Sequence, residues 1–178
     1  MRYYLVSQDK GYSKLPKIKN VFDKLSLNRT KAPNIENLEK RFILEIESEV
    51  NTEYVEILMS SLFLVTQEIK DCIKLYEPNI SCKEVILLDR KNKEKYHYYL
   101  PELDSIECLT DNCEYGFGHY ELKKIEIDEN KTKDKAIFRL AKMEKDYIIM
   151  RLDLVESLLR RGARGIMLEE IQVLEREQ

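Results

Sequence analysis

Three side chains with reactive chemistry fall within twelve positions of one another: Cys108, Cys113 and His119, with the carboxylate of Glu114 next to the second. A thiol, an imidazole and a carboxylate are the parts of a cysteine nucleophile with its base, and the same residue types also ligate zinc. Structural zinc sites show a tight cysteine pair followed by a second ligand pair. None follows here, so free thiols in a loop are the plainer reading. A small cysteine-dependent hydrolase using Cys108, Cys113 and His119 is the enzymatic alternative, although the sequence alone does not bring these groups together or supply an oxyanion donor.

The remaining candidates each have a structural explanation. His97 sits in the aromatic run Tyr96-His97-Tyr98-Tyr99, where a hydrogen-bonded structural histidine is expected. Gly116-Phe117-Gly118 is too short for a dinucleotide fingerprint and is followed by no helical pattern. Arg160-Arg161-Gly162-Ala163-Arg164 has the charge to hold a phosphate, yet cations also stabilise the negative end of a helix. The acidic run Glu45, Glu47, Glu49, Glu53 and Glu56 is spread along an extended segment, whereas a calcium loop needs closely spaced oxygen ligands around a glycine turn. No catalytic set, metal or cofactor is expected from these residues.

The chain has 178 residues, which fits one domain with one core. Its 43% hydrophobic content is ordinary, and 35% charged residues predict a heavily solvated surface. The charge is uneven. Basic residues outnumber acidic ones nine to four over positions 1–40, are outnumbered ten to nineteen over 41–128, and stand eleven to ten over 129–178. An acidic middle argues against nucleic acid, which needs clustered Lys and Arg. The basic start, through Lys10, Lys14, Lys17, Lys19, Lys24, Arg29 and Lys31, reads as a solvated face, with nucleic-acid binding by the first 40 residues as the alternative. No stretch has the apolar length of a membrane span, and the opening residues lack a signal-peptide pattern, so a cytoplasmic location is expected. Cys72, Cys82, Cys108 and Cys113 include no CxxC pair, which fits free thiols.

The elements that would position these groups are legible from periodicity. Tyr3–Val6, Arg41–Glu49, Leu62–Val65, Glu84–Leu88, Tyr96–Leu100, Lys124–Asp128, Ala136–Leu140 and Tyr147–Met150 read as strands, and Gly165–Ile171 as a further extended, apolar run. Val65, Ile69, Cys72, Ile73 and Tyr76 form a helical stripe that Thr66 caps and Pro78 ends. Asp153 begins a second helix through Leu154, Val155, Leu158 and Leu159, which Gly162 or Gly165 closes. The spacing therefore predicts an α+β fold, with a mixed or antiparallel sheet, a few packed helices and two similar strand-helix-strand units. Leu62, Val65, Ile69, Ile73, Ile86, Ile137, Phe138, Ile148, Val155 and Leu158 are expected in the core.

Four segments, Leu62–Ile73, Tyr98–Leu109, Ala136–Leu140 and Leu154–Ile171, resemble in their order the eleventh family of polymorphic-toxin immunity proteins. The resemblance covers about residues 62–174. It leaves 1–60 as a variable N-terminal part of the single domain and 61–178 as the immunity-like α+β part. It implies a cytoplasmic protein that neutralises a cognate bacterial toxin by complex formation, with no turnover and no catalytic residues. Departures are the absence of tryptophan and Leu168 where the family often has an aromatic residue.

For such a partner the candidate contacts are Glu45, Glu47 and Glu49. At every second position of a strand they would project from one face while Phe42, Leu44 and Ile46 enter the core. Three adjacent carboxylates repel one another unless cations lie near, which makes them a place for the Lys or Arg of a basic toxin. A solubilising sheet face is the alternative.

Overall fold

The computed structural model describes residues 1–19, 21, 38–116 and 121–174. In chain order its strands begin with β1 (Tyr3–Gln8), β2 (Lys17–Ile18), β3 (Arg41–Glu47), β4 (Ile57–Met59) and β5 (Phe63–Val65). Helix α1 (Gln67–Tyr76) leads into β6 (Cys82–Asp89) and β7 (Glu94–Pro101), then β8 (Ser105–Ile106), β9 (Glu114–Tyr115), β10 (Leu122–Lys124) and β11 (Glu126–Asp128). Strands β12 (Ile137–Leu140) and β13 (Ile148–Arg151), helix α2 (Leu152–Arg160), β14 (Ile166–Glu170) and β15 (Gln172–Leu174) complete the chain. The fold is α+β, with mixed sheets predominating over the two described helices.

A six-stranded sheet has the order β2-β3-β6-β7-β5-β4, and a five-stranded sheet the order β14-β1-β13-β12-β8. Helix α1 connects β5 to β6 with β7 between them, and α2 connects β13 to β14 with β1 between them. One buried cluster, including Val6, Phe63, Val65, Ile69, Ile73, Ile148, Val155 and Leu158, joins both sheets and both helices. A second, around Leu44, Ile46, Leu64, Val85, Leu87 and Tyr98, lies on the other face of the six-stranded sheet. A third, around Tyr3, Ile127, Phe138 and Ile149, lies on the other face of the five-stranded sheet.

The period-two pattern decides these assignments. In β3, Leu44 and Ile46 are buried and Phe42 is half-buried, while Ile43 and Glu47 are exposed. Nine of the ten expected core residues are buried, and Ile86 is the exception. In β6 it is Val85 and Leu87 that turn inward, so Ile86 falls on the opposite face. Helix α2 ends on the left-handed Gly162, whose N–H bonds the carbonyl of Leu159 while that of Ala163 bonds Leu158, a Schellman closure.

Three local expectations are corrected. Asp153 lies in the first turn of α2, following Arg151 at the cap position, and forks its carboxylate onto that arginine at 2.8 Å. Thr66 is at the N-cap of α1 in extended conformation but makes no side-chain capping bond. Lys124–Asp128 is split between two strands: Leu122–Lys124 pairs with β9, and Glu126–Asp128 pairs in parallel with β15.

Candidate functional site

The part of the molecule least accounted for by folding is one face of β3, β6 and β7. Register aligns Arg41, Ile43 and Glu45 with Glu84, Ile86 and Leu88, and these with Tyr99, His97 and Lys95. Among the described residues only the Tyr99 end is seen to be covered: Tyr99 packs on the central cluster and Lys70 of α1 sits 3.8 Å from its ring centre. A helix is about 10 Å wide, so α1 spans roughly two strands at their ~4.8 Å spacing. Ile43, Ile86 and Leu88 belong to none of the three buried clusters, and Ile43 is 45% exposed. Around them run ion pairs. Arg41 bonds Glu84 at 2.6 Å, Glu84 also meets Nδ1 of His97 at 3.3 Å, and Arg90 bonds Glu45 at 2.7 Å.

At the end where β3 and β6 finish, this face runs into a cleft of about 420 Å³. Its walls are the segment from Ser13 to Lys19, the end of β3 with the following turn, and the β6–β7 turn. The turn is fixed by Asp89, 1% exposed, which accepts bonds from the backbone N–H of Lys91 and Asn92 and from the Asn92 amide, and pairs with Ser48. The Ser48 hydroxyl and these amides hold the Asp89 carboxyl below the usual carboxylate range.

All three predicted contact residues, Glu45, Glu47 and Glu49, line this cleft. Their arrangement differs from a bare acidic row. Glu47 pairs with Lys19 at 2.8 Å, Glu45 pairs with Arg90, and Glu49 lies beyond the end of β3, its backbone N–H bonded to Thr52. Hydrogen bonding to Lys19 lowers the Glu47 pKa from its ordinary value. The short β2 brings Lys17 and Lys19 alongside β3, a pairing with too few residues to show as a sequence period.

The other candidates disperse. Burial pushes the Cys108 thiol up to about 12, away from the thiolate a nucleophile needs. The Cys113 sulfur is held by the backbone of Glu126, donating to its carbonyl at 3.2 Å. Glu114 is exposed on β9. His119, Phe117 and Gly118 lie outside the described residues, as do Lys24, Arg29 and Lys31. His97 is the hydrogen-bonded strand histidine expected, but it is exposed, and its partner Glu84 is an open-face residue shared with Arg41. Among the described residues no three His, Cys, Asp or Glu side chains converge as metal ligands, and no helix is long and apolar enough to cross a membrane.

No protein-family model matches the chain, and no curated protein matches it.

Two further features leave little trace in the sequence. Arg164 lies past the end of α2, and its Nε and Nη2 fork onto Glu56 at 2.9 Å while Nη2 also reaches the Tyr54 carbonyl. Glu56 thereby leaves the acidic run. Arg139, 3% exposed on β12, pairs with Asp146 at 2.9 Å; burial raises the Asp146 carboxyl, with the guanidinium pulling against it. Arginine within a β-rich run followed by an acid in the next turn is the only sequence signal for that pair.

Proposed function

We propose that this chain is an immunity-type binding protein, acting in the cytoplasm and without a cofactor, that neutralises a cognate bacterial toxin by forming a complex with it. The observation that carries the reading is the face of β3, β6 and β7, most of which no described helix or sheet covers. Its centre is apolar, through Ile43, Ile86 and Leu88, and its rim is ion-paired, the anatomy of a protein interface. Exposed ion pairs contribute about 0–1 kcal/mol each, so a partner can exchange them at little cost. The order of the four segments resembling immunity proteins supports the same reading. Glu45, Glu47 and Glu49 belong to the contact surface in this proposal, as members of a mixed-charge rim.

The arrangement of the helices supports placing the interface on this face. We infer that the two strand-helix-strand units share one design, each with a helix spanning two parallel strands across an intervening antiparallel one: β6-β7-β5-β4 in one sheet and β14-β1-β13-β12 in the other. The first unit carries β3 and β2 as an extension beyond the reach of its helix. That extension creates the open face.

Co-purification of the chain with the product of the adjacent reading frame tests the proposal. A retained toxin-like partner, lost on Ile43→Asp while the denaturation midpoint holds, is the expected result. Full retention by the variant, or no retained partner, would remove the reading.

A further inference from the structure

The middle of the chain is acidic in sequence, yet folding reverses the sign of what its cleft offers a partner. Two basic runs far apart in sequence converge there: Lys14 and Lys17 from the N-terminal segment, and Lys91 from the β6–β7 turn. All three are exposed and line the cleft, and none lies within ion-pair distance of a described carboxylate. Lys93 and Lys95 extend the basic hairpin and are exposed as well. The acids between them are already engaged. Glu45 is held by Arg90, Glu47 by Lys19, and Asp89 is buried in its turn. Glu49 is the one exposed carboxylate of the cleft that makes no ion pair with a described residue.

We propose that this cleft receives an acidic segment of the partner protein. The proposal rests on the binding reading above and specifies the chemistry of the bound surface: Asp or Glu side chains set against Lys14, Lys17 and Lys91. Charge complementarity argues for the sign. The spacing of charge argues for protein over nucleic acid. A duplex carries one negative charge per about 1.7 Å and would press phosphates against the cleft's own Glu45, Glu47 and Glu49. Side chains on one face of an extended peptide recur only every ~6.8 Å, so its carboxylates can meet the lysines and miss the glutamates. The ammonium groups also steer the approach of an acidic surface, an effect that weakens as salt rises.

Fluorescence anisotropy with labelled decaglutamate, decalysine and a ten-nucleotide single strand provides the test, on the full chain and without any toxin. Decaglutamate is expected to bind most tightly of the three, with affinity falling as ionic strength rises. Replacing Lys14, Lys17 and Lys91 together by Glu should weaken it roughly tenfold or more. The milder Lys→Gln triple should weaken it in the same direction, and serves if the reversed variant does not fold. Neutralising Glu45, Glu47 and Glu49 to Gln should strengthen it. Preference for decalysine overturns the proposal, as does tighter binding of the oligonucleotide, absence of binding, or decaglutamate binding that ignores the lysine variants. These outcomes are independent of co-purification: a chain that retains a toxin but prefers decalysine keeps the immunity reading and loses this one.

Discussion

The seam between the two sheets and the open face of β3, β6 and β7 use the same materials, strand residues and Arg–Glu pairs, to opposite ends. At the seam the backbone leaves no slack. The N–H of Ile57 bonds the carbonyl of Arg164, Asp9 N–H bonds that of Gly165, and the Gln8 side chain accepts from Met59 N–H while donating to Gly165. A Cβ on Gly165 would lie 2.3 Å from the Ile57 carbonyl oxygen. On the open face, Ile43 is nearly half exposed and the pairs around it join exposed or half-exposed side chains. Polar groups tied to backbone and closed in by packing specify a fold, whereas the same groups left exchangeable specify a surface.

The largest effect expected from this contrast is at Gly165. Gly165→Ala meets both a positive φ of 93° and the Ile57 oxygen, and should cost about 3 kcal/mol or more. Gly162→Ala shares the left-handed conformation, φ 77°, but has nothing within 4 Å, so it should cost only about 1 kcal/mol. Urea midpoints of the two variants give the comparison directly. Equal losses would mean that the seam is no tighter than a helix end.

A smaller effect belongs to the seam's ion pair. Burial alone would raise the Glu56 carboxyl, but the Arg164 bonds more than offset it and hold it below the ordinary 4.5. A carboxyl with a lowered folded-state pKa contributes stability that is present above its unfolded value and lost as pH falls through the folded one. Stability measured across the acid range below pH 5 should therefore fall less steeply in Arg164→Ala than in the native chain. At neutral pH the coupling between Arg164 and Glu56 in a double-mutant cycle should be about 1 kcal/mol, and that between Arg90 and Glu45 nearer zero.

The sequence revealed the strands that alternate over several residues and the two helices, because a buried face imposes a period. Strands β2, β4, β8, β9 and β15 have two or three residues each, too few for any period to show. Ile86 was misplaced for a related reason: in Val85-Ile86-Leu87-Leu88 every residue is apolar, so the pattern does not say which face is buried. The candidate site was legible only in part. Glu45 and Glu47 were correctly set on one face, but Lys19 and Arg90, which pair with them, come from other strands and turns, and only the fold brings them together.

The smallest effect on stability is expected at Ile43, and it sharpens the comparison most. A core isoleucine truncated to alanine costs about 2–5 kcal/mol, through lost burial and the cavity left behind. Ile69 and Ile73 on α1, 0% and 1% exposed, should behave this way. Ile43 is nearly half exposed and packs in no cluster, so Ile43→Ala leaves no cavity and should shift stability by less than about 0.5 kcal/mol. If the face is an interface, the same substitution removes apolar area from its centre, where truncation costs binding most. Affinity for the retained partner should then fall by more than stability does. A loss of stability comparable to that of Ile69→Ala would mean that the face is covered in solution by the chain itself, and that its exposure is no invitation to a partner.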